Sequence, residues 1–290
     1  MNGVLAGLEA NGFDARECGG YVGTSAGSIV AAALAAGVSP GSRLGRLPEQ
    51  PAVEDPNGES PAGGARRLLG AAAGFGSTAA APLVSLALSS TAAGGALVRR
   101  AALGRVPRGR RSLAELGRSI EQLGLDWDGR LRIAAVELET GRRVVLGAPG
   151  APGLSVPDAV QASCAIPGVF RPVRFGERSY VDGGAWSPTN IDAADLGRGG
   201  RVLCLNPTGS LRPALTDPAG AFGPLSRSLA AAEALALRRH GARVTTVNPD
   251  RASARAMGTN LMRSGPRAAV IAAGLAQGRR LATSADPVHA

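Results

Sequence analysis

Lysine is missing altogether, histidine occurs twice, cysteine three times, and aromatic residues make up only 3% of the 290 positions. Each shortage removes a class of function. Without lysine there is no Gly-Lys-Ser/Thr loop to cradle a nucleotide phosphate. The two histidines, His240 and His289, and the cysteines Cys18, Cys164 and Cys204 are far apart and lack metal-ligand spacing, so no metal and no other cofactor is expected. An odd number of separated cysteines also gives no disulfide framework and fits free thiols in a reducing compartment. The formal net charge of +10 comes entirely from arginine. Those arginines are scattered in ones and twos, with almost no aromatic side chains among them to stack on bases, which argues against nucleic acid. Attraction to an anionic membrane surface needs only the charge and stays open, so peripheral membrane contact is expected to be open to this chain. The first residues, MNGVLAGLEANG, carry no basic cluster before an apolar run and no cleavage pattern, and a cytoplasmic location is expected.

What is abundant is small residues: 42 glycines in a chain that is 44% hydrophobic and 19% charged. That composition suits a soluble globular protein whose core is filled largely by alanine and glycine. Val4 to Ala10 reads as a helix stopped by Asn11-Gly12, a short strand is expected around Gly20 to Val22, and a helix apolar all round over Ala26 to Ala36, with Gly37 as its left-handed cap. An amphipathic helix follows at Leu113 to Leu123. Leu131 to Leu138 and Arg142 to Leu146 read as a hairpin around Thr140-Gly141. Strands near Ser179 to Val181, Val202 to Leu205 and Arg243 to Val247 alternate with helices near Asp158 to Cys164 and Ser226 to His240. This alternation predicts an α/β fold with a central, mostly parallel sheet and helices on both faces. Leu68 to Val98 holds no charged residue, yet it is poor in large apolar groups and contains Pro82. It reads better as part of a helical cap, about residues 65–125, than as a membrane span. The expected organisation is one domain over residues 1–281 and a frayed tail from 282 to 290.

The stretch Tyr21-Val-Gly-Thr-Ser-Ala-Gly-Ser28 places Ser25 between Gly23 and Gly27, the pattern of a nucleophile elbow in which a strand turns abruptly into a helix. The flanking glycines are expected because a Cβ at either would collide with the turn. The helix that follows points N–H groups, that of Ala26 included, at negative charge developing beside Ser25. The hydroxyl needs a base. His240, at a helix end where an imidazole is favoured anyway, would make a Ser-His-Asp triad. Asp182, in SYVDGGAW, is the other candidate: it ends a strand, and Gly183 and Gly184 let the backbone turn away from its carboxylate. A surface-turn aspartate next to two glycines is its ordinary alternative.

GTSAGS near the start, ASCAIPGVFRPV at Ala162 to Val173 and YVDGG at Tyr180 to Gly184 together resemble the patatin-like phospholipase family, as do GVLAGLEANG and the later LRRHGARVTTVNPD and MGTNLM. The similarity keeps order and spacing over nearly the whole chain. It implies a serine lipid acyl hydrolase with a Ser-Asp dyad, neither histidine nor metal taking part, and a lipid or other acyl ester as substrate. Ser25 matches the family's nucleophile and Asp182 its base. The family normally opens with a strand and a glycine-rich oxyanion loop, whereas Met1 already falls inside the helix that follows them. A start upstream of Met1 is therefore expected. The alternative is a catalytically impaired module that binds lipid or a partner.

Overall fold

The computed structural model describes residues 1–44, 93–197, 199–210, 222–258 and 267–283. Residues 65–92 of the expected cap and His289 lie outside them. The chain divides into two compact units, one of Met1–Gly19, Ala33–Glu59 and Ala194–Ala290, the other of Gly20–Ala32 and Ser60–Ala193.

The second unit is built on a five-stranded sheet. Its strands are β1 (Tyr21–Thr24), β2 (Leu131–Glu137), β3 (Arg143–Leu146), β4 (Val173–Phe175) and β5 (Arg178–Asp182). β1 runs parallel to β2, while β3 and β5 pair with β2 antiparallel and β4 extends the sheet from β5. The predicted hairpin is β2–β3, its turn made by Gly141 at φ +66°. β3 faces Ile133 to Val136 along one edge of β2, residues that β1 and β5 also pair with in turn. β1, opposite Leu131 to Ala134, and β5, opposite Ala135 to Glu137, must therefore share the other edge. They approach head to head, each ending at the middle of β2.

Small residues let the helices come close to this sheet. Ala134 and Ala135 of β2 are wholly buried, as are Ala159 and Ala162 of the helix over Val156–Cys164. That helix starts where the Ser155 hydroxyl accepts the Asp158 N–H, and it packs on β2 and β5. The elbow helix runs Ala26–Ala35 and ends at Gly37, at φ +74° as its left-handed cap requires. Two helices of the expected cap region are described, Ala93–Arg105 and Ala114–Glu121. The first is bolted down by Arg99, fully buried, which donates to Gly141 O at 2.8 Å and Ala185 O at 3.0 Å and lies 4.2 Å over the Trp186 ring. Burial pulls its guanidinium down to a pKa of about 10, still charged at neutral pH.

In the first unit, β6 (Arg201–Leu205) and β7 (Arg243–Val247) pair in parallel, and a helix over Phe222–Arg239 packs on β7. The opening helix, Asn2–Glu9, crosses the closing helix, Arg267–Thr283, at close range. A Cβ on Gly7 would lie 2.4 Å from Leu275 O, and one on Gly278 2.1 Å from Val4 O. Val4, Leu8 and Val247 form the core there, with Phe13, Leu203 and Leu281 against them. A short helix, Arg251–Met257, begins where Asp250 accepts the Ser253 N–H. The α/β class expected from the sequence is the one observed; where a mostly parallel sheet was expected, the pairings are parallel at β1–β2 and β6–β7 and antiparallel at the other three. The closing helix carries regular structure to Thr283, one residue past the expected start of the tail.

Candidate active site

Two strand ends make the site. Thr24, the last residue of β1, stands opposite Ala134, and Asp182, the last of β5, stands opposite Ala135. Adjacent residues of β2, with Cα atoms about 3.8 Å apart, thus set the spacing. Both chains must turn away at this junction, and each does so in its own manner.

After Thr24 the chain turns at Ser25, which takes φ +52°. A non-glycine residue in this left-handed region stores on the order of 1 kcal/mol and persists only where surroundings fix it. Three contacts do so. The Ser25 N–H donates to Ser163 Oγ at 2.9 Å, and Ser163 Oγ in turn donates to Ala134 O at 2.7 Å. Ser28 binds the Ser25 carbonyl twice, through its N–H at 2.8 Å and its hydroxyl at 2.6 Å. Gly23 is sterically required, since a Cβ there would lie 2.4 Å from Ser28 Cα. Gly27 corrects the sequence reading: nothing lies within 4 Å of a Cβ built on it, so crowding does not explain its glycine. Ala26, exposed, opens the helix, and its N–H has no acceptor within that helix.

After Asp182 the chain enters a single 3-10 turn, Gly183–Ala185, and the Asp182 carboxylate accepts the Gly184 N–H at 2.7 Å. Gly183 is needed there because its Cβ would meet Ala134 O at 2.4 Å. Asp182 is 5% exposed. Burial, the largest influence, raises its carboxyl from 3.8 to about 6, against the lowering effects of hydrogen bonding to the Ser25 side chain and to the Gly184 N–H. At neutral pH most of this carboxyl is ionised, and its basicity lies close to the range that serves proton transfer. Cys164 is buried, 3.7 Å from Ser28 Oγ, and burial pushes its thiol up to about 12, so it stays an uncharged core group.

His240 has a different role in the structure. Its ring Nδ1 is 2.9 Å from the carbonyl of Ala236, in the last turn of the helix that it follows, and it is exposed. Among the described residues no group of three or more His, Cys, Asp or Glu side chains could hold a metal ion. No helix among them is long and apolar enough to cross a membrane.

Several contributors carry no local signal in the sequence. Ser163 lies within ASCAIPGVFRPV, and its partner is 138 residues away. Ser28, in the GTSAGS hexapeptide, and Asn190, beyond Asp182, are equally silent in the sequence. Only the turn residues around a local motif can be read from spacing.

Comparison with known proteins adds one finding and one negative result. The family model described as patatin-like phospholipase matches residues 3–195, which takes in both strand ends and the residues that hold them, and stops short of His240. No curated protein matches the chain.

Proposed function

The chain belongs to the patatin-like phospholipase family, and on that premise we propose that it is a serine lipid acyl hydrolase with Ser25 as nucleophile and Asp182 as general base. The observation that carries this reading is the meeting of β1 and β5 along one edge of β2, which brings the turn at Ser25 and the buried Asp182 to adjacent positions.

In the acylation step the Ser25 Oγ attacks the ester carbonyl while its proton passes to Asp182. Charge builds on the carbonyl oxygen, where the Ala26 N–H at the positive end of its helix offers stabilisation. Collapse of the tetrahedral species breaks the C–O bond, and the leaving alcohol takes the proton from Asp182. An acyl-serine remains. Water then attacks the acyl carbonyl, Asp182 accepts its proton, and collapse returns that proton to Ser25 as the acid departs. Histidine and metal take no part in this scheme. The substrate class is lipid acyl ester, reached by peripheral contact with a lipid surface that the +10 charge would favour when anionic. The helices at Ala93–Arg105 and Ala114–Glu121 belong, on this reading, to a cap beside the site.

The test is hydrolysis of a short p-nitrophenyl ester and of phospholipid vesicles by the protein and by Ser25→Ala. Turnover that disappears in the variant is expected. Equal rates in both proteins would overturn the assignment.

A further inference from the structure

Asn190 is completely buried and holds φ +50°. It lies in a loop that follows Asp182 by eight residues, yet its side chain reaches the opposite wall of the site. The Nδ2 amide donates to Ser187 O at 2.5 Å, to Thr24 Oγ1 at 3.0 Å and, more weakly, to Gly183 O at 3.4 Å. Its Oδ1 accepts from Arg143 Nη1 at 3.2 Å. Arg143 is itself fixed by two hydrogen bonds to the Asp192 carboxylate, at 2.5 and 2.8 Å. A single planar amide therefore ties the residue just before Ser25 to the residue just after Asp182.

We propose that Asn190 is the positioning residue of the Ser25–Asp182 pair, setting the separation of hydroxyl and carboxylate by clamping Thr24 to the Gly183–Ser187 turn. The proposal rests on the hydrolase reading. A buried amide that merely closed its own turn would be satisfied by Ser187 O. The second arm, to a hydroxyl 166 residues away in sequence, serves no turn. Its effect is to couple two strand ends that no ladder hydrogen bond joins, since both pair with β2 and not with each other.

Asparagine suits the task for three reasons. It tolerates the left-handed backbone better than most residues. Its amide offers two donors on one rigid plane, enough to span the gap between the chains. Its oxygen accepts from the charged Arg143, a hydrogen bond roughly twice as strong as a neutral one, which fixes which way the donors point. The Thr24 hydroxyl completes the arrangement by donating to Thr189 O at 3.4 Å, leaving its lone pairs to the amide.

Two substitutions test the clamp by different routes. Thr24→Val removes the acceptor and keeps the strand-favouring shape. Asn190→Asp keeps the side-chain outline, the backbone tolerance and the Arg143 contact, but the ionised group has no hydrogens for Thr24, Gly183 or Ser187. With kcat and KM measured on a short p-nitrophenyl ester, and thermal unfolding on the same samples, each variant is expected to lose about 10- to 100-fold in kcat with KM changed less than about threefold. The double variant should be no slower than the worse single one, because both cut one link. Wild-type kcat in a Thr24→Val protein that unfolds at the wild-type temperature would overturn the proposal. So would a loss that merely tracks the fraction unfolded, or losses that multiply in the double variant. If Asn190→Asp does not fold, Thr24→Val alone decides. Activity surviving in Ser25→Ala would instead bring down the underlying hydrolase reading, whereas a dead Ser25→Ala beside a fully active Thr24→Val would bring down only the clamp.

Discussion

Thr24 and Asp182 stand opposite consecutive residues of β2, Ala134 and Ala135, although one ends a strand parallel to β2 and the other a strand antiparallel to it. Two strands that run toward each other along one edge must both leave the sheet where they meet. The residues that make those exits are a strained serine and a buried aspartate.

The ionisation of Asp182 controls rate and stability in opposite senses. As the base it must be charged, so kcat/KM should rise with pH through about 6 and level off above it. For stability, the folded-state value lies above the ordinary 3.8, so the folded protein holds this proton more tightly than the unfolded chain. The protonated form's contribution is complete below about 4 and is lost as pH rises through about 6, a change of about 3 kcal/mol at most. Asp182→Asn should therefore be inactive yet more stable than wild type at pH 8, with the gain gone at pH 4. Urea titrations at the two pH values check the sign. A variant less stable at pH 8 would contradict it.

Ser163 holds the elbow from below. Ser163→Ala leaves the Ser25 N–H and Ala134 O without their shared hydroxyl inside the protein. A loss of about 1–3 kcal/mol is expected from the stranded groups, together with a lower kcat as Ser25 drifts. Denaturant unfolding and ester kinetics on one preparation test this. Unchanged stability and rate would show that Ser163 does not support the turn.

The positive φ of Ser25 predicts a difference between two inactive variants. Ser25→Gly relaxes the left-handed turn, whereas Ser25→Ala keeps the Cβ that strains it. The glycine protein should be the more stable of the two by about 1 kcal/mol. Equal unfolding midpoints would mean that the elbow is not strained.

Much of the layout was legible in the chain because its signals are local. The uncharged helix after Ser25, the Thr140-Gly141 hairpin and the strands around Tyr180, Leu203 and Val244 all announce themselves through short apolar runs bounded by glycine or charge. β4 did not, being three residues long with two of them exposed. The closing helix was also missed. It buries Gly274 and Gly278 against another helix instead of a stripe of large apolar residues, so it carries little helical periodicity. Within the site, the serine and aspartate stand in recognisable turns. Ser163 and Asn190 act through partners 138 and 166 residues distant, contacts that exist only after folding. Gly27 shows the reverse error, a steric reason read into a position where space is open.

Reaction with a fluorophosphonate, followed by peptide mapping, tests the central claim most directly, because it reports an activated hydroxyl without presupposing the natural substrate. The label should attach at Ser25 in the wild-type protein, faster at pH 8 than at pH 5, and should fall to background in Asp182→Asn even though that variant remains folded. Labelling of Ser25 at the same rate in Asp182→Asn would contradict the account.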